Sequence, residues 1–295
     1  MAVTVEPFFL AVGGRSRFCL YHPPAPSSAA QRGAIVYIHP FAEEMNFSRR
    51  MAALQSRALA AQGYAVLQID LLGCGDSAGD FSEARWADWV ADSVAAARWV
   101  QARRATIGAG PLTFWGLRAG CLLAAEAASA MNEPVDFLFW QPVLSGEAYW
   151  RQFRRLAIAA KALENTDDTR VPESGRETEN PPVIEIAGYC IARELIAGLS
   201  ASRLVLPTNT RRVNCVEVST WQSADESTTA ASAVSHAMSP LLASAITAWR
   251  EQGVRVYPAV VPGTAFWQIA EADDCPALRA ATVQLVTEED GNGAA

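Results

Sequence analysis

The sequence lacks an excess of basic charge: its net charge is -7. A nucleic-acid binder needs a basic face to neutralise phosphates, so that class is excluded. Long apolar runs are also missing, and no stretch approaches the ~18 uninterrupted apolar residues of a membrane span. The opening MAVTVEPFFLAVGG has no basic start and no small-residue cleavage site. No secretory signal is expected, and a cytoplasmic location is. Six cysteines (Cys19, Cys74, Cys121, Cys190, Cys215, Cys275) stand without CxxC spacing. That pattern argues against a zinc site or disulfide framework and for reduced thiols. No internal repeat is present. Hydrophobic residues at 51% against 19% charged ones provide for a large core rather than a disordered chain.

Short apolar runs alternate with longer helical patterns, the signature of a parallel sheet covered by helices. Glu6 to Val12 and Arg17 to His22 flank AVGGRS and predict an antiparallel hairpin. Strands are then expected at Ala34 to His39, Tyr64 to Leu71, Leu112 to Trp115, Val135 to Val143, Arg212 to Val218 and Val254 to Val261. Val135 to Val143 is apolar on both faces and should be central. Helices are expected at Ser48 to Gln62 after a loop PFAEEMN, at Ser82 to Arg104, after Gly120, at Pro240 to Gln252 and at Pro276 to Thr287. The tryptophans of the second helix (Trp86, Trp89, Trp99) suit packing. The chain reads as one domain, 1–295. Between 145 and 211 the alternation breaks into a helical, polar segment with a polar middle from Asn165 to Pro182. We read it as a helical lid inserted over the C-terminal edge of the sheet, where ligands of this architecture sit.

The strand–turn–helix around GLRAG is the most specific feature. A nucleophile elbow needs Gly-x-Nuc-x-Gly because the central residue is strained and its neighbours must lack bulk. Gly116, Ala119 and Gly120 fit, but the central residue is Arg118. A guanidinium stays protonated and cannot attack an acyl carbon. His39-Pro40 stands where an oxyanion loop would, and DLLGCGDS (Asp70 to Ser77) resembles the DxxGxGxS turn of α/β-hydrolases.

The partners of a catalytic triad should follow the last two strands. After the first comes STWQSADES, where Asp225 or Glu226 is the candidate acid. After the second comes GTAFWQ, and Ala265 occupies the histidine slot. No histidine follows His236. His22 is expected at the surface, His39 as support for the oxyanion loop, and His236 in a solvated connection. Cys121, at a helix start, is a minor alternative nucleophile; Cys74 and Ser77 suit structural roles. A serine–histidine–acid mechanism needs a base touching the nucleophile, and both groups are missing.

The strings YIHPFAEEMNFSRRM, IDLLGCGDSAGDF, WGLRAG, IEIAGY and VPGTAFW resemble the exosortase A system-associated hydrolases of the second type, nearly end to end. The resemblance implies an α/β-hydrolase fold and a bacterial cytoplasmic setting beside exopolysaccharide and protein-sorting loci. It implies a nominal hydrolase of ester or acyl type, with arginine at the elbow as a feature of the group. It carries no substrate. A component of that system is one expected partner; a small anionic ligand is the other.

A cation at a helix N-terminus opposes the helix dipole, so Arg118 needs a partner. One is internal: Glu43, Glu44 or Asp76 closing an ion pair over the old active site. The other is external: a carboxylate or phosphate held by Arg118 and the backbone N–H groups of the helix end. The candidate binding set is therefore Arg118 with His39, Glu43, Glu44 and Asp76; no cofactor or metal is expected.

Overall fold

A computed structural model describes residues 5–25, 32–103, 110–131, 133–164, 182–186, 188–219, 237–270 and 274–288. Ten strands and seven helices are described. The strands are β1 (Glu6–Val12), β2 (Arg15–His22), β3 (Gly33–Ile38), β4 (Tyr64–Ile69), β5 (Leu112–Leu117), β6 (Val135–Trp140), β7 (Val183–Ile186), β8 (Tyr189–Ala192), β9 (Thr210–Ser219) and β10 (Arg255–Pro262). The helices are α1 (Glu43–Ala61), α2 (Trp86–Gln101), α3 (Gly120–Ser129), α4 (Gly146–Glu164), α5 (Arg193–Ala201), α6 (Pro240–Glu251) and α7 (Pro276–Thr287).

Eight strands form one sheet in the order β1-β2-β4-β3-β5-β6-β9-β10. From β4 to β10 every pairing is parallel, and the β1–β2 hairpin closes one edge antiparallel. Every residue of β3, β5 and β6 is buried, as strands covered on both faces require. Residues of α2, α3 and α6 share one core with the sheet. Residues of α1 and α7 share the other with Tyr37, Trp115 and Trp140. Trp86 and Trp89 are buried in the first of these cores, in the packing role expected for them. No described helix is long and apolar enough to cross a membrane.

Two expectations are corrected. The loop PFAEEMN is mostly helix: α1 already begins at Glu43, with the Met45 N–H donating to the Ala42 carbonyl at 3.0 Å. Two acidic residues in its first turn, Glu43 and Glu44, complement the positive helix end. The segment between β6 and β9 is not wholly helical. It also holds the β7–β8 hairpin, where Gly188 at φ 77° makes a turn that a side chain would strain. Of the polar stretch expected from Asn165, residues 165–181 lie outside the described ones.

The Asp70–Ser77 turn at the end of β4 is a structural knot. Asp70 accepts from the Asp76 N–H at 3.1 Å and from Arg49 at 3.0 Å. The Ser77 hydroxyl donates to the Asp70 carbonyl and accepts from the Phe18 N–H at 2.9 Å. Beside it, Asp92 of α2 accepts at one oxygen from Arg17 Nε and from the Leu72 N–H, both at 2.8 Å. Arg17 and Asp92 are both buried, so removing either charge strands the other in the core. Arg17→Met is expected to cost about 3–5 kcal/mol. The double variant Arg17→Met/Asp92→Leu should recover most of that loss in urea unfolding; equal loss in both would mean that the pair is not what matters.

Candidate functional site

The turn after β5 has the geometry of a nucleophile elbow without the nucleophile. Arg118 sits at φ 54°, left-handed backbone that a non-glycine residue adopts only when its surroundings enforce it. The enforcing contacts are local. The Arg118 N–H donates to the Trp140 carbonyl on β6 at 3.0 Å, and the Cys121 N–H returns to the Arg118 carbonyl at 3.1 Å. A Cβ on Gly116 would lie 2.6 Å from Cys121 Cα, and one on Gly120 would lie 2.3 Å from the Ile38 carbonyl oxygen. Only glycine lets strand and helix approach this closely. Two other non-glycine residues with positive φ, Ala42 at 51° and Gln141 at 44°, follow β3 and β6. The strain is thus gathered at the C-terminal ends of three adjacent strands.

The Arg118 side chain is 12% exposed. Its Nε donates to Glu44 Oε1 at 3.4 Å, and the Tyr149 hydroxyl donates to Glu44 Oε2 at 2.8 Å. The guanidinium carbon lies 5.5 Å from the Tyr149 ring centroid and 5.7 Å from that of Trp267. The cation is therefore held by one carboxylate and two aromatic faces. The Glu44 contact is long and uses one of the five guanidinium N–H donors. Arg118 also forms part of the wall of a cavity of about 280 Å³ with Gln141, Ser145, Tyr149, Glu217 and Ser239.

Of the proposed internal partners, the structure brings only Glu44 to Arg118. Glu43 instead accepts from the Tyr189 hydroxyl and, at 3.3 Å, from Asn46. Asp76 is exposed, its backbone tied to Asp70. It turns away because the tight Asp70–Ser77 turn brings its N–H, not its carboxylate, inward. His39 does not face a ligand. Its Nδ1 meets the Pro40 carbonyl at 2.7 Å, and its Nε2 accepts from the Leu71 N–H at 3.2 Å. Both nitrogens are thereby used in locking the loop after β3, and burial pushes the ring below the usual histidine value.

His22 is buried rather than at the surface, because β2 carries it into register with Val66 of β4. Burial and Arg57 lower it to about 4. Cys121 is fully buried, its thiol pushed up by burial and donating toward the Trp140 carbonyl at 3.9 Å. Cys74 is buried and pushed up in the same way. Ala265 precedes the short 3-10 helix Phe266–Gln268, so the loop of the histidine slot does reach Arg118, through Trp267. Asp225, Glu226 and His236 lie outside the described residues.

Sequence reasoning missed Tyr149, Gln141, Glu217 and Ser239. Glu217 carried a signal, an acid near the end of the mostly apolar run VNCVEV. Tyr149 carried none, because its place beside Glu44 depends on how α4 folds back over the sheet.

Comparison with known proteins agrees on the architecture. A family model of X-Pro dipeptidyl-peptidases (S15 family) matches residues 18–159. The human protein ABHD12B is 33% identical over 105 residues, 35% of this chain and 27% of that protein. The chain thus spans about a quarter of that relative's length. Among solved structures, Est1E from Butyrivibrio proteoclasticus with bound ferulic acid superposes with a TM-score of 0.60 at 14% identity, over 94% of this chain and 97% of that one. A soluble variant of monoglyceride lipase from Saccharomyces cerevisiae also gives 0.60, at 13% identity over 97% and 94%. XC6422 from Xanthomonas campestris, an α/β serine hydrolase without lid, gives 0.54 at 16% identity over 95% and 92%. The chain has the α/β-hydrolase fold.

Burial raises the Glu44 carboxyl above its ordinary value, and Arg118 and Tyr149 offset that only in part. The folded protein therefore binds this proton more tightly than the unfolded chain does. Its contribution to stability is full below the ordinary glutamate value and is lost as pH rises through the raised one. Urea unfolding between about pH 4 and 8 should show wild type losing stability relative to Glu44→Gln as pH rises. A difference that stays constant, or grows in favour of wild type, contradicts this environment for Glu44.

Proposed function

We propose that this protein is a hydrolase-fold component of a bacterial exosortase and exopolysaccharide system, cytoplasmic, in which Arg118 holds a small anionic ligand where a hydrolase holds its nucleophile. The system and its location rest on the sequence resemblance to that group. The ligand-binding reading rests on one observation. Arg118 meets Glu44 through Nε alone, at 3.4 Å, while it forms part of a cavity wall with other polar groups. A planar guanidinium presents paired donors to a carboxylate or phosphate, and those of its terminal nitrogens meet no acceptor among the described residues. The internal ion pair and the external ligand are then compatible: Glu44 steadies the cation in the empty site and shares it in the loaded one.

In this reading the segment between β6 and β9 acts as the lid. Its Tyr149 lines the cavity and holds Glu44, and its Tyr189 holds Glu43, both in the first turn of α1. Acyl transfer by a serine triad has no part in it. The elbow residue is a permanent cation, Cys121 is buried, and an alanine stands where the base belongs. The hydrolase name is then ancestry, since a fold alone does not give a reaction.

Acetate, propionate and phosphate at millimolar concentration should raise the melting temperature of the wild type and leave Arg118→Ala unmoved. A rise of equal size in the variant would remove Arg118 from the site. A fluorophosphonate probe, which marks activated serines, should leave the protein unlabelled; labelling at any serine would restore the hydrolase reading. Arg118→Ser alone should produce no efficient ester hydrolysis, because the base at position 265 is still missing.

A further inference from the structure

The cavity beside Arg118 has a second charged wall. Glu217, near the C-terminal end of β9, is 9% exposed and lines the same space of about 280 Å³. Its carboxylate accepts from the Ser239 N–H at 2.7 Å and from the Ser239 hydroxyl at 2.5 Å, one bond on each oxygen. A carboxylate has about four acceptor positions, so each oxygen keeps one. The Ser239 N–H belongs to the start of α6, whose positive end offsets part of the charge. Among the described residues, none of the ion pairs of 4.0 Å or less engages Glu217. The adjoining residues 220–236 contain neither lysine nor arginine.

The register sets the two cavity-lining residues two strands apart. Leu117 on β5 pairs with Trp140 on β6, which pairs with Val216 on β9. Arg118 and Glu217 each follow by one residue, so their Cα atoms stand two strand spacings apart, about 10 Å. They do not pair with each other. Gln141, which follows Trp140, stands between them on β6, and the apolar Pro142, Val143 and Leu242 line the same cavity. A buried carboxylate without a cation is stabilised by a ligand that brings one.

We infer that the ligand is bipolar: a small amino carboxylate whose carboxylate meets Arg118 and whose ammonium group, a few carbon atoms away, meets Glu217. This deepens the anion-binding reading and rests on it. The short hydrocarbon between the charges has the apolar lining residues Pro142, Val143 and Leu242 to meet. The cavity lies at the lower end of the volume range of small-molecule sites, which suits a molecule of metabolite size.

Length-matched probes test this without altering the protein. By calorimetry at neutral pH, γ-aminobutyrate and 5-aminovalerate should bind wild type about tenfold tighter than butyrate and valerate. Glu217→Gln should bring each pair to near-equal affinity, and Arg118→Ala should abolish binding of all four. If the plain carboxylates bind wild type as tightly as the amino acids, the bipolar ligand is overturned while Arg118 as anion clamp survives. A preference for amino acids that persists in Glu217→Gln also overturns it. If none of the four binds wild type, the anion clamp itself falls, and this inference with it.

Discussion

Everything at the C-terminal edge of this sheet depends on one strained residue. Arg118 is held in left-handed backbone by a hydrogen bond to the neighbouring strand, with glycines on either side of the turn where any Cβ would collide with backbone. Such a conformation costs on the order of 1–3 kcal/mol and persists only when the fold over-determines it. In this fold that strain ordinarily serves to present a nucleophile. Here it presents a cation to the cavity between the strand ends and α4.

A cation fixed at the start of a helix is electrostatically out of place, and its surroundings show the compensation. The helix end is positive, and so is the guanidinium. Glu44 answers with a carboxylate, Tyr149 steadies that carboxylate, and the Tyr149 and Trp267 rings face the guanidinium. In the proposed function this leaves a charge neutralised enough to be tolerated and free enough to take a further anion. Burial weighs on Glu44 more than the arginine relieves it, and the contact between them is a single long one at 3.4 Å. In the inferred bipolar site Glu217, which lines the same cavity, extends that logic from one charge to two.

The fold was legible in the sequence because its signals are local. Short apolar runs marked every strand of the main sheet, and the run Val135 to Val143, expected to be central, holds the buried interior strand β6. The elbow was legible as well, since Gly-x-x-x-Gly after a buried strand has a steric reason to exist. What escaped was non-local. The start of α1 was hidden in a polar string that only makes sense as an acidic first turn. The β7–β8 hairpin is short, four residues to a strand, and lies in a segment dominated by helix. Tyr149 and Ser239 enter the site because distant elements fold over it, and Asp76 leaves it because its turn points the carboxylate outward. His22 looked like a surface residue because sequence does not reveal which strand β2 will pair with.

In the proposed function the Arg118 guanidinium is an open anion site and not a closed ion pair. The most direct measurement is the 15N–1H resonance of Arg118 Nε, assigned by its loss in Arg118→Lys and followed as acetate is added at neutral pH. The account predicts a saturable shift of that resonance, with the other arginine signals unmoved. A resonance that stays fixed across the titration, its proton still on Glu44, would contradict it.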